Sequence, residues 1–135
     1  MKTSKINANG QSGFTLIEVI AVLVIVGMLA AVAIPRYLDM QTAAARNAVQ
    51  GALAAGASNV TMEYSQELLS GTFTNLGALA TNLGVAAYTT VGDFTVTYTA
   101  TASGIDVDLA TAPSPISGQL GNLTAAEKKK SVTLQ

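Results

Sequence analysis

At 135 residues the chain is the size of one small domain, and with half its residues apolar and 11% charged it is too apolar for disorder and rather apolar for a soluble monomer. A net charge of −1 gives no basic footprint for nucleic acid. The absence of Cys and His excludes thiol nucleophiles, disulfides, thiolate zinc sites, imidazole triads and cysteine lipidation. An exported chain without disulfides must gain stability by another route, and assembly is one.

The first stretch, MKTSKINANGQSG, is polar, with Lys2 and Lys5 as its only charged side chains. From Phe14 to Ile34 the chain is apolar, with Glu18 as the sole charge. As a helix rising about 1.5 Å per residue, this segment spans about 30 Å, the thickness of a hydrocarbon core. Positive charge ahead of a single span favours a cytoplasmic start, so the chain from Pro35 onward is expected outside.

Three kinds of processing fit such a segment. It is a secretory signal cut after Ala31-Val32-Ala33, an uncut anchor, or a retained apolar helix whose leader alone is removed between Gly13 and Phe14. Glu18 separates them. A carboxylate deep in a membrane costs about 2.5–3.5 kcal/mol at the helix centre and less near an end, so an idle one is unexpected. Cleavage after Gly13 would create an α-amine on Phe14, four residues before Glu18 and on the same helical face. Amine and carboxylate can then neutralise each other, within one chain or between neighbours, and the second arrangement sets an axial register.

These residues carry a resemblance. A short basic leader ending in Gly13, then Phe14-Thr15-Leu16-Ile17-Glu18, then an apolar run to Pro35, resembles the type IV pilin and pseudopilin family. The resemblance covers residues 1 to about 60 well and the remainder in broad architecture. It implies an α+β pilin fold, with a long N-terminal helix, first hydrophobic and then amphipathic, packed on a small antiparallel sheet. It further implies cleavage by a prepilin peptidase at Gly13–Phe14, N-methylation of Phe14, and pairing of Glu18 with the Phe14 amine of an adjacent subunit. The stretch PRYLDMQTAAARNAV looks like the mannose-sensitive haemagglutinin branch of pilins.

Four regions follow: a leader over 1–13, a membrane or filament-core helix over 14–35, an amphipathic half over 36–69, and a connector with a C-terminal sheet over 70–135. Pro35 removes a backbone donor, so a kink or local melting is expected near Ala31–Pro35, with Gly27 as a second weak point. From Arg36 to about Leu69 the chain is Ala-rich, with Val49, Leu53, Val60, Tyr64 and Leu68 as an apolar stripe suited to a sheet. Gly51 and Gly56 each cost about 1 kcal/mol against Ala unless small side chains serve close approach of neighbouring helices. A helix of this length cannot bury itself in so small a chain and needs partners, first lipid and then other copies.

Ser70-Gly71 is a helix stop. Thr72 to Val91 reads as a connector with a short helical turn around Leu76–Leu83. In the family the comparable loop often forms subunit contacts. Phe94 to Tyr98 alternates, Ala102-Ser103-Gly104 turns, and Ile105 to Leu109 alternates again, predicting a hairpin with one face on the helix. Thr111 to Leu123 reads as a loop holding Pro113 and Pro115. Thr124 to Glu127 has capping-box spacing for a brief helix over Lys128-Lys129-Lys130, read as a solvated helix face or tail, and Ser131 to Leu134 as an edge strand. Many family members tie this region with a disulfide; without Cys, backbone pairing must suffice here.

Asp106 and Asp108 share a strand face, with Asp93 a candidate neighbour. Without a calcium loop they read as solvated carboxylates, and no metal or cofactor is expected. Paired carboxylates for glycoside hydrolysis would need a cleft and aromatic sugar platforms. Tyr37 and Tyr64 on the helix raise a conductive-fibre role, against which stands ordinary aromatic packing.

The resemblance therefore implies a non-enzymatic filament subunit, made as a single-pass precursor in a bacterial inner membrane and assembled into a surface pilus for adhesion or motility. Its partners would be further copies, the prepilin peptidase, the pilus assembly machinery and, before assembly, the bilayer; no nucleic acid is expected. The alternative is a pseudopilin of a type II secretion system, disfavoured by the missing calcium loop. A cleaved periplasmic enzyme or binding module leaves Glu18 unexplained.

Overall fold

A computed structural model describes residues 13–134 of the chain. Lys2, Lys5 and the expected leader up to residue 12 lie outside the described residues. The chain divides into two compact units, at Leu38 and Asp39, and a single α-helix, α1 (Leu16–Ser70), contributes to both.

In the first unit, α1 from Val19 to Ile34 carries apolar side chains all round, and among the described residues none of them is buried. Phe14 is 89% exposed, and Leu16, Ile17, Leu23, Met28 and Val32 all stand open. An all-round apolar helix is stable only where lipid or other apolar surface surrounds it. By length and composition this stretch can cross a membrane. Gly27 and Pro35 both lie inside α1, and the helix runs unbroken through them, so the melting expected near Ala31–Pro35 is absent from this single chain. Proline there costs the helix one hydrogen bond, to the carbonyl one turn back, and the flanking turns hold.

The second unit is a two-layer α+β fold. The second half of α1 packs on a four-stranded antiparallel sheet in the order β1 (Thr90–Val91), β2 (Phe94–Ala100), β3 (Gly104–Thr111), β4 (Lys129–Thr133). Along α1, Ala45, Val49, Ala52, Leu53, Gly56, Ala57, Val60 and Glu67 are buried. The expected stripe therefore needs one correction: Leu68 is 52% exposed and Glu67 takes the inward position. Two heptad steps from Leu53 reach Val60 and then Glu67, which is the spacing that returns to one face. Tyr64 stays on the stripe, edge-to-face with Phe73 at 5.1 Å and 87°, whereas Tyr37 is exposed. Gly56 serves close approach, but of the sheet rather than of a neighbouring helix: a Cβ there would meet Val107 Cγ1 at 2.8 Å.

α1 ends where its sequence stops it. Gly71 takes φ +69, its N–H reaches the Leu68 carbonyl at 3.3 Å, and the Thr72 N–H reaches the Glu67 carbonyl at 2.9 Å. That is a Schellman ending, open to Gly because it has no Cβ. Beyond it α2 (Leu76–Leu83) starts on Asn75, whose side chain accepts from the Ala78 N–H. The remaining connector holds a short helix, α3 (Ala86–Thr89), and β1, neither of which the sequence reading anticipated. β1 and β2 join through Gly92-Asp93, with Gly92 at φ +59 as a tight hairpin of this twist requires.

The central hairpin is as read from the alternation. Val96 pairs with Leu109, Tyr98 with Val107 and Ala100 with Ile105, which turns Val96, Ile105 and Val107 into the core. Leu79 and Leu83 of α2 and Leu123 complete that core with Val49, Leu53 and Val60. The stretch expected as a plain loop differs: Ile116–Asn122 is a 3₁₀ segment. Its Ile116 and Leu120 pack on the core, a gain in apolar burial that orders a Gly- and Ser-rich sequence.

Candidate functional site

The predicted cleavage point, Gly13–Phe14, lies in non-helical chain just ahead of α1, fully exposed and so open to an enzyme. Phe14 and Glu18 line one shallow apolar groove with Val19, Val22 and Leu23, as their spacing of four dictates. Glu18 is already engaged. Its Oε2 accepts from the Thr15 backbone N–H at 2.8 Å and from the Thr15 hydroxyl at 2.8 Å, and the Thr15 hydroxyl accepts the Glu18 N–H at 3.4 Å.

This reciprocal pairing is a capping box, Thr-x-x-Glu, which satisfies donors that a helix start leaves without partners. Its sequence signal is Thr15-Leu16-Ile17-Glu18, a Thr three residues ahead of a Glu at the start of an apolar run. The box accounts for part of why a carboxylate sits here. It also fixes the side chain: Oε2 faces back along the helix, while Oε1 accepts no hydrogen bond among the described residues. The macrodipole at this end favours the anion as well.

Gly27 and Pro35 lie further along the same helix and touch neither end of this groove. A Cβ at Gly27 would meet nothing within 4 Å.

The acidic residues of the sheet do not make a metal centre. Among the described residues no three His, Cys, Asp or Glu side chains come together. Asp106 and Asp108 share a face, as their period of two requires, but they share it with Lys129, whose Nζ stands 2.9 Å from Asp106 and 3.7 Å from Asp108. Asp106 is ion-paired rather than simply solvated, Asp108 stays a third exposed beside the same ammonium, and Lys129 belongs to a strand rather than to a tail. The reason is register: β4 begins at Lys129, two residues before the strand that was read, which sets Lys129 opposite Asp108. The brief helix covers only Ala126–Lys128, and its box is present, with Thr124 donating from backbone and hydroxyl to Glu127 at 2.8 and 2.9 Å. Glu127 in turn pairs with Arg46 of α1. Lys128 donates to the Leu120 carbonyl at 3.3 Å.

One buried polar group was not foreseen. Glu67 is 7% exposed, and its Oε1 accepts from Asn82 of α2 at 2.6 Å, while Oε2 has no partner. Tyr88 donates to Glu63 at 2.7 Å, and Tyr98 donates to the Tyr88 carbonyl at 2.8 Å. These bonds pin α2 and α3 to the end of α1.

The comparisons with known proteins bear on the N-terminal region. The family described as "Prokaryotic N-terminal methylation motif" matches residues 8–34. Two curated proteins of Moraxella bovis, "Type IV major alpha-pilin" and "Fimbrial protein Q", are each 50% identical over 48 residues, or 36% of this chain. The chain spans 30% and 31% of their respective lengths. No solved structure matches the chain. The pilin resemblance read from Gly13 to Glu18 is borne out by these matches.

Proposed function

We propose that this chain, which carries a prokaryotic N-terminal methylation motif and resembles a type IV major alpha-pilin and a fimbrial protein over 48 residues, is the repeating structural subunit of a type IV pilus. It works by polymerising and carries out no catalysis. The observation that carries the reading is the apolar half of α1, exposed on every side and led by an acid held in a capping box. Such a surface is stable in a bilayer before assembly and against the same surface of other copies afterwards. The methylation motif supports the chemistry at its start: a prepilin peptidase cuts between Gly13 and Phe14, and the new Phe14 amine is methylated.

In the filament, Glu18 Oε1 takes the methylated Phe14 amine of a neighbouring subunit, and the match of charges sets the stagger. Two opposite charges in an apolar core stabilise only as a pair, since each alone costs several kcal/mol. Helix continuity through Gly27 and Pro35 belongs to the single chain, and the missing Pro35 donor is where α1 unwinds if packing demands it. The second unit remains outside as the fibre surface, for adhesion or motility. The assembly machinery of the inner membrane is the other partner.

Immunogold labelling of fibres sheared from cells tests this reading. Label along the whole length of the fibres supports the repeating subunit. Label confined to the inner membrane, with unlabelled fibres, would move the chain to the pseudopilin of a type II secretion system.

A further inference from the structure

The core of the second unit is apolar, but its last segment is fastened differently. Every ion pair among the described residues ties Glu127 or Lys129 to the rest of the unit: Arg46 with Glu127, and Lys129 with Asp106 and Asp108. β4 itself contributes little apolar burial. Val132 and, just past the strand, Leu134 reach the core but are only half-buried, while Lys130, paired with Val107, stands on the core-facing side of the sheet yet remains exposed. β2 and β3, in contrast, bury Val96, Ile105 and Val107 completely.

We propose that residues 126–134 form an ion-pair latch that opens as a unit at acid pH or high salt, while α1, α2 and the β2–β3 hairpin stay folded. Opening leaves β3 as the edge of the sheet, with its backbone free to pair.

The charges that face the latch are few. Glu127 faces Arg46 from α1, and Lys129 and Lys130 of β4 line the same cleft with Gln50. Asp106 and Asp108 face Lys129 from β4, and on their other side β2 sets Thr99 and Thr97 opposite them, with no charge. The Ser131 and Lys129 hydrogen bonds hold Asp106 below the usual carboxylate range. The Thr124 N–H and hydroxyl, then Arg46, do the same for Glu127.

A depressed folded value means a contribution present above the unfolded carboxylate pKa of about 4 and lost as pH falls through the folded value. Lys129 is raised by Asp106 and then Asp108, so its contribution fails only at alkaline pH, and acid acts through the carboxylates. With Arg46 and Lys129 each more than a third exposed, salt also reaches these pairs: the screening length falls to about 3 Å at about 1 M.

Residue-resolved amide exchange on the full chain in detergent micelles tests the latch, with each rate normalised to its intrinsic value. Between neutral pH and about pH 3, protection over Lys130–Thr133 should fall about tenfold or more, while the Val49 and Leu79 amides keep theirs. About 1 M NaCl at neutral pH should give the same selective loss in the unmodified chain. Lys129→Met at neutral pH should reproduce it without acid or salt. Unchanged protection of β4 under acid and salt, or its loss in step with Val49 and Leu79, overturns the proposal. The salt series stands alone if Lys129→Met does not fold.

Discussion

Gly56 of α1 lies directly against Val107 of β3, so closely that a Cβ on Gly56 would stand 2.8 Å from Val107 Cγ1 and 3.5 Å from Val96 Cγ2. Both valines are fully buried and β-branched, so neither can swing aside. The absent side chain at Gly56 therefore sets how near the helix comes to the sheet.

From this contact, the same change at two glycines of one helix should have opposite signs. Gly56→Ala gains about 1 kcal/mol in helix propensity but overpacks the core, which costs about 1–3 kcal/mol, and a bulkier Gly56→Val should be worse. Gly51→Ala meets nothing within 4 Å and should stabilise by up to about 1 kcal/mol. Urea unfolding of both variants checks this, and equal shifts would mean that Gly56 is not the contact point.

Asn82 gives the sharpest test of the buried carboxylate. Asn82→Ala leaves the buried Glu67 side chain with neither oxygen bonded, and should cost about 1–3 kcal/mol, the penalty for a buried polar group left without a partner. Adding Glu67→Met removes the group that is left stranded, so the double variant should recover much of the loss. No recovery would place the damage in α2 itself.

At Gly104 the backbone of β4 passes where a side chain would stand, with the Val132 carbonyl oxygen in the way of any Cβ. Gly104→Ala must push β4 away and should cost about 1–3 kcal/mol, with exchange protection lost first over Lys129–Thr133. Wild-type protection there would show that the strand can shift without loss.

Glu18 carries two roles that one substitution separates. Glu18→Gln keeps an acceptor for the Thr15 cap, since Gln serves in a capping box, yet removes the charge. Cleavage after Gly13 should proceed in this variant, while incorporation into fibres falls sharply. Normal fibre yield from Glu18→Gln would leave the cap as the whole purpose of the acid.

Much of this architecture is legible in the chain because local pattern and packing agree. Phe94–Tyr98 and Ile105–Leu109 alternate with the period that the sheet needs, Ser70-Gly71 carries its own stop, and Thr124–Glu127 its own cap. The misreadings fall where a distant partner decides. Glu67, not Leu68, lies on the face set by Leu53 and Val60, and a carboxylate there needs the hydrogen bond that Asn82, fifteen positions along, supplies. The lysines read as a tail become strand and latch only once Asp106 and Asp108 lie beside them. Ile116–Asn122 orders because the core has room for Ile116 and Leu120, which no local rule states. At the N-terminal site, Glu18 sharing a face with Phe14 was legible from their spacing of four, the roles of Gly13, Phe14 and Glu18 came from the resemblance, and the Thr15 capping bond appears only in the structure.

The proposed function stands or falls on whether the mature chain begins at Phe14 with a modified amine and is found in fibres. The measurement is the N-terminal residue and intact mass of the native protein sheared from cell surfaces. The expected result is a chain starting at N-methylated Phe14, heavier by one methyl group than the bare cleaved chain. A chain starting at Ile34 would contradict it, making Glu18 part of a discarded signal and the filament reading untenable.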